Sequence, residues 1–321
     1  MVINNAPGAK SIPQRTQERV KAAARELNYS PNFMARSLRQ KRSFAVGVIV
    51  PEISEGYETL VMSGIEDYLL SKGYFYYVVS HRHRKDLIEE YPRLLHRRGV
   101  EGLIAVDTEC PVNEQVPVVA VSGHRVLPRV TNIELDHNLA ATLAIEHLCR
   151  LGHRNIAFIK GQVFSSDTEL RFNAIRSSIH SLGLSLNPQL VAQLEGESSS
   201  PELGFRAMQK ILATKQPFTA LFAFNDVSAI GAMRALAESG LRIPRDVSVV
   251  GFDDIQSATF QNPALTTVRQ PLREMGIIAA KTLLSAINSP TAAQQPKSIM
   301  VKPELIVRDS TLEAPASAKG D

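Results

Sequence analysis

The chain is poor in the residues that several function classes require. Its 321 residues include two cysteines, no tryptophan and 6% aromatics. Cys110 and Cys149 stand far apart, without the close Cys or His spacing that metal sites use, so both read as reduced structural thiols. No apolar run approaches the ~18 residues that span a bilayer, and the N-terminus lacks the apolar core of a secretory signal. A cytoplasmic protein is the expectation. Neither G-x-G-x-x-G nor G-x-x-x-x-G-K-[ST] occurs, which removes the usual phosphate-cradling loops, and there is no G-x-S-x-G elbow to activate a serine. His81 and His83 in SHRHRK have no Cys or carboxylate partners nearby in sequence and read as a solvated turn; His147 and His153 flank Cys149, but the Gly152 helix stop accounts for HLCRLGHR without metal. Catalysis is not expected, and no cofactor or metal is called for.

What is present fits a globular protein. Hydrophobic residues at 44% and charged ones at 21% are ordinary, and the length suits about two domains of ~150 residues. The net charge of +4 hides an asymmetry. Residues 1–42 hold nine Lys or Arg against two acids, +7, and the remainder carries −3. A mildly acidic globule with a short basic arm suggests a polyanion held by the arm and something else held by the body.

In the arm, Val20, Ala23, Ala24 and Leu27 fall at i, i+3, i+4 and i+7, one face of a helix over 13–28, with Ser11 as N-cap and Pro13 in the first turn. Only Val2 and Ile3 precede it as apolar partners, too few to cover that stripe. The next segment, from Ser30 to Gln40, again has a cap followed by Pro; a lone helix of about ten residues orders only when it gains a partner. Arg36, Arg39, Lys41 and Arg42 suit phosphates, and Leu38 is an apolar wedge among basic neighbours, the kind that minor-groove proteins push between base steps.

The body repeats apolar strands and amphipathic helices. The strands are AVGVIVPE (45–52), YFYYVVSH (74–81), VEGLIAVD (100–107), VPVVAVSG (116–123), RNIAFIKG (154–161), TALFAFND (219–226) and VSVVGFDD (247–254). Nearly continuous apolar strands alternating with helices argue for parallel sheets covered on both faces, and seven such units are too many for one small sheet. The predicted fold is α/β, two doubly wound parallel-sheet lobes with a ligand cleft at the carboxyl ends of the strands. Asn225-Asp226 and Asp253-Asp254 stand at such ends; each carboxylate either reaches the cleft or caps the following helix. Arg171 either forks onto a polar ligand or is a surface arginine.

The arm resembles the third headpiece helix and hinge helix of the LacI/GalR family of regulators, whose pattern runs T-x-E-x-V-x-A-A-x-x-L-x-Y-x-P-N-x-x-A-R-S-L. Thr16, Arg19, Val20, Ala23, Leu27, Tyr29, Pro31, Asn32, Ala35, Arg36, Ser37 and Leu38 sit where that pattern expects comparable residues. The resemblance continues through AVGVIVPEIS, IEHLCRLGHRNIAFIKG, FAFNDVSAIGAMRALAESGLRIPRDVSVVGFDDI and NPALTTVRQPLREMG, spanning residues 12–309. It implies a type I periplasmic-binding-protein-like body preceded by a partial all-α helix-turn-helix headpiece. DNA would be met by Tyr29, Asn32, Ala35, Arg36, Leu38 and Arg39, with Leu38 intercalating. Tyr57, Arg171, Phe222, Asn225 and Asp253 would line the effector cleft. Glu58 departs from the pattern, standing where an aromatic is common, and Asp167-Thr168-Glu169 falls in a variable loop. The implied division is 1–42 for headpiece and hinge, 43–310 for effector binding and dimerisation (one lobe 44–152 plus 270–298, the other 153–269 plus 299–309), and 311–321 as a disordered tail.

The expected function is a ligand-responsive transcription repressor, binding a near-palindromic operator as a homodimer and controlled by a small polar metabolite such as a sugar. The alternative is a cytoplasmic binding or sensor protein of the same fold without specific DNA binding. A transport receptor and an enzyme rank below both. In the family the recognition helix ends in a run like V-S-x-V-I-N-N, and this chain begins Met1-Val2-Ile3-Asn4-Asn5. Met1 is therefore expected to be an internal methionine, with two further headpiece helices encoded upstream.

Overall fold

Strands and helices alternate through most of a computed structural model that describes residues 2, 7–29, 42–54, 56–109, 116–123, 127, 129–197, 199–289 and 297–315. The chain divides into two units, Met1–Phe44 and Ala45–Asp321.

In the first unit, helix α1 (Gln14–Glu26) follows Pro13, whose φ of −53° leads straight into the helix. Ser11 is not its cap: the hydroxyl closes the short 3-10 turn Pro7–Ser11 by donating to the Gly8 carbonyl at 2.8 Å. The expected apolar stripe is there and lies open, Val20 36% and Leu27 78% exposed. Tyr29 is exposed and ends the helix with its N–H on the Ala24 carbonyl. Asn32, Ala35, Arg36, Leu38 and Arg39 lie outside the described residues.

The second unit holds two six-stranded sheets. The first takes β1 (Ala45–Val50), β2 (Phe75–Ser80), β3 (Leu103–Val106), β4 (Val118–Val121), β5 (Val130–Leu135) and, from far along the chain, β11 (Lys297–Val301), in the order β11-β5-β4-β3-β1-β2 and all parallel. The second takes β6 (Ile156–Lys160), β7 (Val191–Gln193), β8 (Ala220–Phe222), β9 (Ser248–Asp253), β10 (Thr266–Arg269) and β12 (Glu304–Ile306), in the order β12-β10-β9-β8-β6-β7 with only β12 antiparallel. Helices α2 (Tyr57–Ser71), α3 (Lys85–Arg97), α4 (His137–Arg150), α5 (Asp167–Ser181), α6 (Pro201–Ala213), α7 (Asp226–Glu238), α8 (Gln256–Thr259) and α9 (Leu272–Asn288) connect the strands. Central strands β1 and β9 are buried at all six positions, as parallel strands covered on both faces must be.

The two lobes repeat one packing device. α2 lies against α9 in the first, and α6 against α7 in the second. In each pair the backbones come so close that only hydrogen fits: a Cβ on Gly276 would stand 2.1 Å from the Val61 carbonyl oxygen, and one on Gly231 1.7 Å from that of Pro201.

The chain changes lobe three times: at Asp136 between β5 and α4, at 270–271 between β10 and α9, and at 302–303 between β11 and β12. This differs from the expected boundary at residue 152. Asp136 caps α4 by accepting from the Leu139 N–H at 2.9 Å, so the helix begins at the crossing itself. Its small buried face, Ala140, Ala141 and Ala144 with Ile145 and Leu148, packs on α5 of the second lobe. Likewise the first lobe keeps residues 299–301, which pair with β5. The expected disorder from Thr311 is also corrected. The Thr311 hydroxyl meets the His147 ring at 3.0 Å, the Leu312 carbonyl meets the His153 ring Nε2 at 3.0 Å, and the Ala314 N–H donates to the Leu151 carbonyl at 2.7 Å. Fixed partners on α4 and in the turn after it outweigh the segment's polar composition; residues 316–321 lie outside the described residues.

Candidate effector cleft

Leaving the swapped strand aside, each sheet reads second-first-third-fourth-fifth, so the order reverses between β1 and β3 in one lobe and between β6 and β8 in the other. Ligands of open α/β sheets bind outside the carboxyl ends of strands at such reversals. Here both reversals open on one cleft. Glu52 follows β1, Tyr57 and Glu58 start α2, and Asp107 follows β3; opposite them stand Phe164, Asp167 and Arg171 after β6, Phe224 and Asn225 after β8, and Asp253 at the end of β9. The space between these side chains is narrow, about 60 Å³.

Arg171 is the buried cation of this cleft, 3% exposed. Its guanidinium lies over Phe252 at 3.7 Å and Phe224 at 4.4 Å from the ring centroids. It donates to the Phe224 carbonyl at 2.5 Å and to Asp167 Oδ2 at 3.0 Å, one helical turn away, while its Nε has no partner. Asp167, expected in a variable loop, is the first residue of α5 and also meets the His137 ring at 3.3 Å.

Asp253 has φ of +109°, a conformation side chains rarely adopt and one that concentrates at functional sites. Oδ1 accepts from Gln270 Nε2 at 2.6 Å. Burial raises its carboxyl to about 7, against the opposing pull of Arg171 and the Gln270 hydrogen bond. Burial likewise raises Glu58 to about 8, helped by the charges of Asp107, Glu52 and Asp253. The Tyr57 hydroxyl donates to Ser122 Oγ at 2.7 Å; burial first and the Asp167 charge second push it well above the usual phenol range, so it stays neutral.

The lobes touch across the cleft. Ser166 Oγ lies 2.7 Å from Asp107 Oδ1 and 2.5 Å from the Ser122 carbonyl, and its one proton serves one of these acceptors. The Ser199 N–H donates to Glu52 Oε1 at 2.6 Å, and the His83 ring lies 3.6 Å from that of Phe164.

Tyr57, Arg171, Asn225 and Asp253 are thus brought together, and Phe222 is not. Phe222 is the last residue of β8, still inside the sheet and 1% exposed against Phe252; the chain reaches the cleft two residues later, at Phe224. Asn225 does cap α7, its Oδ1 accepting from the Ser228 N–H at 2.9 Å. Asp226 and Asp254 are structural: Asp226 accepts from the Ile255 N–H and the Thr267 hydroxyl, and Asp254 pairs with Arg269 and Arg308. His81 is buried on the Thr108 hydroxyl at 3.0 Å, and burial lowers it to about 4. No group of metal-ligating side chains occurs among the described residues, and none of their helices is long and apolar enough to cross a membrane. Cys110 lies outside the described residues, and burial raises the Cys149 thiol.

These shifts set a pH dependence. In the folded chain Glu58 and Asp253 hold protons that the unfolded chain releases above ~4, so ionisation favours unfolding and stability falls as pH rises toward 7 to 8. His81 acts oppositely, but only between about 4 and 6.5. Between ~6.5 and ~8 urea midpoints are expected to fall, each group contributing at most ~1.4 kcal/mol per pH unit, and Glu58→Gln should flatten the slope.

Two doubly wound lobes joined by three crossings, with one polar cleft at their paired reversals, define a two-lobed ligand-binding module. A periplasmic binding protein-like domain model matches residues 145–311. The chain is 32% identical over 310 residues to the HTH-type transcriptional repressor PurR of Haemophilus influenzae, covering 93% of this chain and 90% of that one. Among solved structures it is similar to the Lac repressor dimer bound to operator and the anti-inducer ONPF (TM-score 0.79, 28% identity, 97% of this chain and 93% of that chain) and to the transcriptional regulator CelR–cellobiose complex (0.74, 26%, 96% and 94%). The chain belongs to the LacI family of transcriptional repressors, regulators rather than enzymes.

Proposed function

We propose that the chain is a cytoplasmic, ligand-responsive repressor that binds a near-palindromic operator as a homodimer and takes a small polar metabolite such as a sugar in the cleft. The observation that carries the reading is the cleft itself: polar groups from both lobes face one another at the strand-order reversals, so a ligand there sets the angle between lobes. Tyr57, Arg171, Asn225 and Asp253 hold it, with Phe224 in the place expected of Phe222. Tyr29, Asn32, Ala35, Arg36, Leu38 and Arg39 meet DNA. A change of lobe angle in a dimer alters the separation of the paired hinge segments, and hinges that order only at the right spacing convert it into affinity. A coupling of ~1–3 kcal/mol corresponds to roughly 5- to 150-fold in operator binding. The second reading, a sensor without specific DNA binding, draws on the open stripe of α1 at Val20 and Leu27.

An operator shift assay with the full chain, titrated with metabolites, separates the two. Leu38→Ala is expected to weaken operator binding by at least about tenfold, as loss of an intercalating wedge should, and to leave ligand affinity unchanged. Unchanged operator binding would count against the repressor reading.

A further inference from the structure

Two of the three lobe crossings carry a buried polar side chain that reaches a carboxylate of the cleft. His137 begins α4 directly after the crossing at Asp136; it is 9% exposed, and its ring meets Asp167 Oδ1 at 3.3 Å. Gln270 stands in the second crossing, one residue beyond Arg269, which lies opposite Asp253 in the pairing of β9 with β10. It is 3% exposed and donates from Nε2 to Asp253 Oδ1 at 2.6 Å. Its Oε1 is buried without a partner, so among the described residues Asp253 is what orients the amide. At the third crossing Lys302 is exposed. The two carboxylates meet again at Arg171, which pairs with Asp167 at 3.0 Å and whose charge opposes the burial of Asp253.

We infer that His137 and Gln270 are positioning residues of the effector response: each ties one lobe crossing to one cleft carboxylate, so whatever engages Arg171 shifts the backbone of both crossings. The inference rests on the effector reading above and deepens it, from where a ligand sits to how its presence reaches the tethers between the lobes. A buried hydrogen bond is costly to break, because the parted donor and acceptor find no water. When Asp167 or Asp253 turns toward a ligand at Arg171, the ring or the amide follows its partner rather than part from it. Each belongs to a residue whose φ and ψ direct the chain from one lobe to the other, and domain closure is absorbed at just such a few positions. The two links are separate, with different carboxylates and different crossings, so each can be cut without the other.

The test needs no effector. Amide hydrogen exchange of the full chain is measured with and without Arg171→Lys, which keeps the charge but loses the fork that spans Asp167 and the Phe224 carbonyl. Exchange is expected to quicken by at least about tenfold at the Leu139 and Ala140 amides of the first crossing and the Leu272 and Met275 amides of the second. At Tyr74 and Gly240, whose amides close the far ends of α2 and α7, the change should stay within about twofold. The same comparison in Gln270→Met should lose the response of the second crossing and keep that of the first, and in His137→Phe the reverse. His137→Gln, which keeps a donor in place of Nε2, should keep both. A role confined to stability would loosen both crossings together in every background. Silence at both crossings, a response that ignores these substitutions, or one as strong at Tyr74 and Gly240 overturns the inference; should His137→Phe fail to fold, the Gln270→Met comparison decides alone. The operator assay decides the effector reading separately.

Discussion

The Arg171→Met chain is expected to unfold more easily by about 3–5 kcal/mol, the range for removing one partner of a buried ion pair. The side chain it loses is 3% exposed and bonded to Asp167 and the Phe224 carbonyl. Without it Asp167 loses its ion-pair partner, and Asp253 loses the charge that most opposes its burial. Methionine keeps the apolar contact with Phe224 and Phe252, so the loss reports charge rather than packing. Adding Asp167→Asn should recover much of the stability, because a neutral amide needs no cation, yet ligand-induced thermal shifts should stay absent in both chains. A single variant within ~1 kcal/mol of the parent in urea would show that the pair contributes little to folding.

Gly231→Ala is the second large effect. The added methyl would stand 1.7 Å from the Pro201 carbonyl oxygen and 2.8 Å from the Phe205 nitrogen, both backbone atoms that no rotamer change can move. α6 and α7 must separate, opening the cluster in which Ala207, Met208, Ile211, Ala232 and Leu236 are buried. Overpacking costs ~1–3 kcal/mol where side chains can yield; with backbone on both sides the loss is expected at or above ~3 kcal/mol. Gly240→Ala is the control. It has φ of +80° and nothing within 4 Å of the added carbon, so about 1 kcal/mol is expected from backbone strain alone. Equal midpoints for the two variants would refute the contact argument.

Much of this was readable in the residues where strands are long and apolar. AVGVIV and SVVGFD are buried at all six positions, and their chain order with intervening helices already implies parallel sheets. β5, β7, β10, β11 and β12 were not foreseen, and for three of them the reason is physical. β7 and β12 have three residues, too few to show a period. β10, TTVR, buries Thr266 and Thr267 by hydrogen bonds to Ser310 and Asp226, partners that only the folded chain supplies. In the cleft, Asn225 and Asp253 were legible as polar ends of apolar strands, and the same signal marks Glu52 and Asp107, the last residues of AVGVIVPE and VEGLIAVD. Arg171 was visible through its family position, but its depth was not, since it depends on rings delivered from β9 and from beyond β8. Phe222 misled because the end of a strand and the rim of a cleft differ by two residues.

The three crossings share one edge of the molecule. β5 neighbours β11 in one sheet and β10 neighbours β12 in the other, so every covalent tether between the lobes is gathered along a single spine. Opening is then rotation about that spine, with displacement growing strand by strand away from it. β1 lies three strands from β5, roughly 14 Å at ~4.8 Å per strand. A rotation of about 10° carries the residues after β1 by ~2.5 Å, enough to part the 2.6 Å bond between Glu52 and the Ser199 N–H. At β5 itself the same turn moves almost nothing. The cleft thus sits where a small angle is amplified into whole hydrogen bonds made or lost, and the lobe edge beyond it, at β2, travels farthest of all.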